Sequence, residues 1–404
     1  MVDIAGEITP APNYLGLTNL QRFTYSVPKF LIWIFSSYIV LLAFQDFQLG
    51  GDSWKQGDWL INSVDTTIRR GMMGSLILRV SETFSLNPVL VVVVVQVSLV
   101  IATVGLITLS VQRLQPQATI WLLILSPGFF VSFWSLDDQG GLRKELITFL
   151  AFAILLFATS RPTPNRILAY VSALVYGLAV ISHEGNLFFA PFFAFCYYLL
   201  LSKTAITKPD FIGLLAIVAC ACLTTLIIAF SFDTVIDYMR VCQPVLDAGA
   251  GADMCEGAIK ALEIPLKEYM TATFWMFFSP KVLSFTLLYV LSSVLVLITG
   301  THLVGGGRLF LRAYIGSAFL FLPLYVVAVD WGRWVSFHTS AVIFTLLIAL
   351  SLGFPKTAST EEMPLRRFQL VLVCSLVWGF SHFLDVLWGG MAWKTLQALM
   401  QIGG

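Results

Sequence analysis

Charge is scarce in this chain. Only 12% of its 404 residues are Asp, Glu, Lys or Arg, against about 25% in soluble domains. The formal net charge is +1, so nothing suggests a nucleic-acid partner. The nucleotide and hydrolase signatures are missing as well: there is no Walker loop, no dinucleotide fingerprint, no GxSxG elbow and no zinc-ligand spacing. ATP-driven work and hydride transfer therefore lack support. No internal repeat or low-complexity linker breaks the chain, and no cleavable signal peptide is expected. The first apolar run, from Phe30, is too long for one and lacks a small-residue cleavage site.

What fills the chain is apolar surface: 58% of residues are hydrophobic and 14% aromatic. Runs long enough to cross a hydrocarbon core of about 30 Å recur throughout. The alternating short segments of a membrane barrel are absent. The fold class expected is an all-α polytopic membrane protein of about eleven spans, within a range of ten to thirteen. The expected spans are 29–46, 88–112, 118–135, 146–160, 167–182, 186–202, 211–231, 281–300, 313–329, 337–354 and 368–388. They form one transmembrane domain over 1–404, with two long loops at 47–87 and 232–280.

Short basic connections at Arg113, Arg161, Arg166, Lys203, Lys208, Arg308, Arg312, Lys356, Arg366 and Arg367 place the N-terminus and those connections in the cytoplasm. The long loops then lie outside. Cys242 and Cys255 flank the DAGAGAD segment of the second loop, where an outer, oxidising compartment would allow a disulfide. Cys196, Cys220, Cys222 and Cys374 lie within apolar runs as packing residues.

The polar residues converge on the outer side in four clusters. The first loop carries Asp52, Asp58, Asp65, Arg69 and Arg70. The sequence SLDDQGGLRKEL carries Asp137, Asp138, Arg143, Lys144 and Glu145. ISHEGN carries His183 and Glu184, and AVDWGRWVSFH carries Asp330, Arg333 and His338. Ionisable groups beside a membrane usually face a cavity and a partner, so four clusters on one side point to a polar chamber.

In GDWLINSVDTTIRRGMMGS, helical spacing puts Asp58, Asn62, Asp65 and Arg69 on one face, opposite Leu60, Ile61, Val64 and Ile68. That pattern predicts an amphipathic interfacial helix. Its carboxylates suit either solvation or proton abstraction. Arg69 and Arg70 suit either phosphate binding or contact with lipid headgroups, and Gly71 and Gly74 permit close backbone approach. Asp137 and Asp138 fit a helix cap or turn as well as a ligand site. His183 and Glu184 fit a hydrogen-bonded turn, a metal pair or substrate contact. Asp330 and Arg333 are spaced to pair on a helix, and Trp331 and Trp334 fit an interfacial belt. WGGMAWKTLQALM reads as a further surface helix.

Carboxylates for proton abstraction and cations for a phosphate leaving group suit glycosyl transfer from a polyprenyl-phosphate sugar. The order of parts resembles the GT-C superfamily of membrane glycosyltransferases. The matching stretches are GDSWKQGDWLINSVD after the first span and SLDDQGG between the third and fourth, covering the chain to about residue 231. The resemblance implies that a first-loop aspartate acts as general base: Asp58 first, with Asp52 and Asp65 as alternatives. The substrate-binding candidates are Arg69, Arg70, Asp137, Asp138, Arg143, Lys144, His183, Glu184, Asp330, Arg333 and His338.

RRGxxG, HEG and DWGRW also resemble bacterial O-antigen and exopolysaccharide polymerases, which use diphosphate-linked glycans. The expected partners are a polyprenyl-phosphate-linked sugar donor, a glycan or lipid acceptor and membrane lipids, with a divalent Mg or Mn ion left open. The expected location is a bacterial inner membrane with a periplasmic site. A lipid-linked oligosaccharide transporter or flippase is the alternative outside the enzyme class. It is disfavoured because the charges gather at one interface and the span interiors are nearly free of them.

Overall fold

The computed structural model describes residues 18–231, 236–383 and 385–394. Most of this backbone is helical. The first half contains α1 (Asn19–Gln48), α2 (Lys55–Leu60), α3 (Gly71–Phe84), α4 (Pro88–Val111), α5 (Gln117–Ile124), α6 (Phe130–Leu136), α7 (Glu145–Thr159), α8 (Arg166–Ser182), α9 (Ala190–Ser202) and α10 (Lys208–Ser231). The second contains α11 (Tyr238–Asp247), α12 (Leu266–Met276), α13 (Lys281–Val304), α14 (Gly307–Ala318), α15 (Leu322–Val327), α16 (Trp331–Ser351) and α17 (Leu365–Leu376). An antiparallel hairpin follows, pairing β1 (Trp378–Phe380) with β2 (Val386–Trp388).

Seven of these helical stretches are long and apolar enough to cross a membrane: α1, α4, Glu184–Ser202, α10, α13, Gly307–Val327 and α16. This is the architecture of an integral membrane protein. α7 and α8 have only 15 and 17 residues. At about 1.5 Å of rise per residue they are shorter than a hydrocarbon core. Little of α7 meets the outside, because it packs between α4, α8 and α16. Its Phe149 and Phe152 stack on Phe130 and Phe344, with ring centroids 4.6 Å and 5.2 Å apart.

Two expected spans are not continuous helices. The 118–135 stretch breaks between α5 and α6 at Ser126–Pro127–Gly128. Proline lacks the N–H that a continuing helix needs, and its ring collides with the preceding turn. Gly128 lies against α13 and α16, where a Cβ would fall 2.6 Å from Ser292 Oγ. The 368–388 stretch is helical only to Leu376. Its polar residues are drawn into a tight turn instead: Ser381 N donates to Asp385 O at 3.0 Å, and Asp385 N donates to Ser381 Oγ at 3.0 Å. Of the surface helix expected near the C-terminus, a helical start is described at 390–394, and 395–400 lie outside the described residues.

The surface helix expected over the first loop is also replaced. α2 is buried along its whole length and ends at Leu60. Asn62 stops it, because its Oδ1 accepts from Val64 N at 3.2 Å while its amide donates to Leu60 O at 3.1 Å. This is the local competition by which Asn ends helices. The second loop is stitched on top. Cys242 and Cys255 form a disulfide, Ala258 N donates to Ser53 O at 3.0 Å, and Asn62 Nδ2 donates to Val241 O at 2.7 Å. Trp59, Ile61, Val241, Val245, Met254 and Ile259 make a cluster of their own beneath these bonds.

α3 rests directly on the chain leaving α2. A Cβ at Gly74 would fall 2.9 Å from the Leu60 carbonyl carbon. Gly74→Ala is therefore expected to push α2 and α3 apart, with a loss of about 1–3 kcal/mol. Thermal unfolding in detergent should show a lower midpoint, and an unchanged midpoint would mean that this contact is slack.

Candidate functional site

α2 exists because its first turn is capped. Asp52 Oδ1 accepts from Trp54 N at 2.9 Å and Lys55 N at 2.8 Å, and Gln56 Oε1 accepts from Asp52 N at 2.8 Å. Asp52 is thus occupied as a helix cap. Lys55 pairs with Asp46 at 2.6 Å. Trp59 Nε1 donates to Leu142 O at 2.8 Å, and Gln96 Nε2 donates to the same oxygen at 2.6 Å. These bonds bring α2 against the segment that carries Arg143 and Lys144.

Asp58 sits within this packing. It is 3% exposed, and its Oδ2 has no hydrogen-bond partner among the described residues. Burial alone would push its carboxyl up. Lys144, Arg70 and Arg143 outweigh that and hold it at about 2. A buried ion lacking a hydrogen bond is costly, and such groups in folded proteins call for an explanation. The cations explain why the charge is tolerated, but they leave one oxygen open.

The cations are themselves positioned by backbone. Arg70 adopts a left-handed conformation, φ 66°, just before α3. A long side chain rarely takes it, and it marks local strain. Its guanidinium grips Glu184 in a bidentate pair, Nε to Oε2 at 2.7 Å and Nη2 to Oε1 at 2.5 Å. Arg69 Nη1 lies 3.5 Å from the same carboxylate. The expected phosphate-binding arginines are thus engaged with Glu184, because His183 ends α8 and turns the chain so that Glu184 faces them. His183 Nδ1 accepts from Gly185 N at 3.0 Å. Lys144 Nζ donates to Arg70 O at 2.9 Å. Burial, with Arg70 nearby, brings its ammonium down to about 8.

A second network adjoins the first. Arg333 pairs with Glu145 through Nε at 3.0 Å and Nη2 at 2.7 Å, both side chains being almost fully buried. Asp330 lies 3.4 Å from Arg333 and 3.6 Å from Arg143. The pairing of Asp330 with Arg333 follows from their spacing, but Glu145 is the stronger partner and was not among the site candidates. Its signal in the sequence is a lone carboxylate at the mouth of an apolar helix. Arg143 lies 5.6 Å from the ring centre of Trp54, and its buried Nε has no hydrogen-bond partner among the described residues.

The remaining candidates fall elsewhere. Asp65 is exposed on the connection after α2 and cannot share a face with Asp58, because the helix has already ended. Asp138 is half exposed and pairs with Lys394. Asp137 is buried against His382, a residue the sequence reading missed. His338 lies inside the bundle on α16, bonded to Tyr289 OH at 3.0 Å and Ser317 Oγ at 2.9 Å. Its partners separate it from the outer cluster. Among the described residues, no group of three His, Cys, Asp or Glu side chains could hold a metal ion. Asp58 and Glu184 are each ringed by cations, a donor set that does not fit Mg or Mn.

Two buried atoms thus make no hydrogen bond among the described residues: the Asp58 Oδ2 oxygen, which can accept one, and the Arg143 Nε–H, which can donate one. Each feels the other's charge through the network that joins them. Its frame is the Arg333–Glu145 pair. Glu145→Gln should leave Arg333 buried beside the weaker Asp330 and cost about 3 kcal/mol. Chemical or thermal unfolding of the purified variant checks this, and a loss within measurement error would show that Asp330 suffices.

No protein-family model, no curated protein and no solved structure matches this chain.

Proposed function

We propose that the protein is a membrane glycosyltransferase that moves a sugar from a polyprenyl-phosphate donor to a hydroxyl of a glycan or lipid acceptor. The observation that carries this reading is the presence of two unsatisfied buried atoms, Asp58 Oδ2 and Arg143 Nε, in the charge network that also holds Lys144. The acceptor O–H donates to Asp58 Oδ2, its oxygen bonds to the anomeric carbon, and the bond from that carbon to the phosphate oxygen breaks. The proton ends on Asp58, and the negative charge of the departing phosphate falls on Arg143 and Lys144. A bound phosphate also offsets the cations that hold the Asp58 carboxyl low, so proton affinity rises once the donor is in place. No step requires a metal ion.

In this reading the chain crosses the membrane eleven times, with α5 and α6 together making one crossing and α17 with the hairpin another, in an arrangement like GT-C enzymes. The site faces the periplasm of a bacterial inner membrane. Two features support that orientation. The opposite end of the bundle carries Arg113, Arg161 and Lys203, stacked on Phe157 and Phe354, as expected of a cytoplasmic face. The disulfide lies at the site end, as expected of an oxidising one. The same chemistry serves a polymerase acting on diphosphate-linked glycans. One observation favours carriage of a lipid-linked glycan instead: the α5–α6 break is flanked by the buried hydroxyls of Ser126 and Ser292, which have no hydrogen-bond partner among the described residues, and broken helices often line transport sites.

Asp58→Asn in proteoliposomes is expected to lower transfer from a polyprenyl-phosphate sugar by roughly 10²–10⁴-fold while leaving insertion intact. Full activity would remove Asp58 from the mechanism. Donor affinity carries a separate signature. Lys144 loses its proton as pH rises through about 8, so binding of the phosphate donor should weaken above that pH. Lys144→Arg, which keeps its charge, should bind with little change over the same range. An identical pH profile in the two proteins would exclude Lys144 from the phosphate site.

A further inference from the structure

The second long loop ends in a helix with two unlike sides. α12 has 11 residues, about 16 Å of helix, too short to cross a hydrocarbon core. It packs on α15, and Tyr269, Thr273 and Met276 form its protein-facing stripe at helical spacing. The remaining surface changes along its length. Lys267, Glu268 and Thr271 are exposed in the first turns. At the other end Phe274, Trp275 and Phe278 are 55%, 66% and 71% exposed. Their rings touch one another, with centres 5.2–6.3 Å apart. Large aromatic side chains exposed side by side call for an apolar cover.

The neighbouring spans say what that cover is. Phe277 lies with its ring centre 4.8 Å from that of Trp331, the first residue of α16, and Phe285 near the start of α13 lies 5.0 Å from the same ring. The end of α12 is therefore level with the ends of two membrane-spanning helices. Lys281, exposed, opens α13 three residues after Phe278, as expected of a cation reaching for headgroups. Beyond it, α13 exposes Leu283, Leu287, Val290 and Val294, a stripe at helical spacing along the span. The aromatic patch thus lies where a lipid-facing span begins. On the opposite side of α12, Tyr269 is within electrostatic reach of Arg69, Arg70 and Asp330.

We propose that α12 is seated in the membrane interface, with Phe274, Trp275 and Phe278 inserted among phospholipids, and that it stands between the bilayer and the charged cluster around Arg70. An interfacial helix buries its apolar side about 5–10 Å deep, and Trp favours that level. The second long loop then has two anchors: the disulfide-closed segment rests on α2, and α12 rests on lipid. This inference does not depend on which reaction the site performs.

Photo-crosslinking of the full-length protein in nanodiscs of phosphatidylethanolamine and phosphatidylglycerol tests it. Benzoylphenylalanine is placed singly in the position of Lys267, Tyr269, Trp275 or Phe278, and the irradiated products are read by mass spectrometry. Phospholipid adducts are expected at 275 and 278, at several-fold the yield at 267. At 269 the label should join the chain to itself. Adducts to a second copy of the chain at 275 and 278 overturn the proposal, as do lipid yields no greater there than at 267. Lipid capture at 269 equal to that at 275 overturns the placement of α12 between bilayer and cluster. Trp275→Phe gives a second reading without a bulky label. The fluorescence it removes should be the part that lipids with brominated acyl chains quench, and loss of an unquenched part counts against insertion.

Discussion

An ion inside an apolar bundle must be matched, and that requirement organises one end of this molecule. Arg70 with Glu184, Arg333 with Glu145, and Lys55 with Asp46 each join elements distant in sequence. Removing one partner of a fully buried pair such as Arg333–Glu145 costs several kcal/mol, and that pair, with the part-buried Arg70–Glu184 pair, holds the first loop, the start of α7, the end of α8 and the start of α16 in register. Asp58 is the departure from the pattern. It is matched in charge but not in hydrogen bonding.

The scaffold around Asp58 is built from loops more than from spans. α2 has only six residues, too few to be stable alone. Its stability comes from the Asp52 cap, the cluster beneath it and the disulfide-closed segment above it. Gly74 sets how closely α3 can approach. The same logic holds for the hairpin, whose polar turn is fastened to Asp137 and to the backbone of Gly332. The charged end is thus assembled by connections that a hydropathy profile passes over.

Where sequence reasoning failed, a local rule lost to a tertiary contact. Asp58, Asn62, Asp65 and Arg69 share a face on an ideal helix, but Asn62 bonds to Val241 in the other long loop and ends α2 early. Arg69 and Arg70 read as phosphate ligands because nothing in their neighbourhood shows Glu184, 114 residues on. The 368–388 stretch reads as a span because its mean hydropathy hides Ser381, His382 and Asp385. The 118–135 stretch reads as one span because its apolar length hides the proline and glycine at 127–128, where α5 and α6 part.

The sequence by itself determined that this chain is a helical membrane protein, because apolar run length against hydrocarbon thickness is a one-dimensional comparison. It also determined which charged clusters share an end, since alternating spans send every second connection to the same side. Only the tertiary structure decided which charges are already matched and which are open. Pairing depends on distances of 2.5–3.6 Å between side chains on different elements, and those are set by how helices and loops pack. Asp58 and Asp65 look alike in sequence. Burial beside Lys144 and Arg143 separates them.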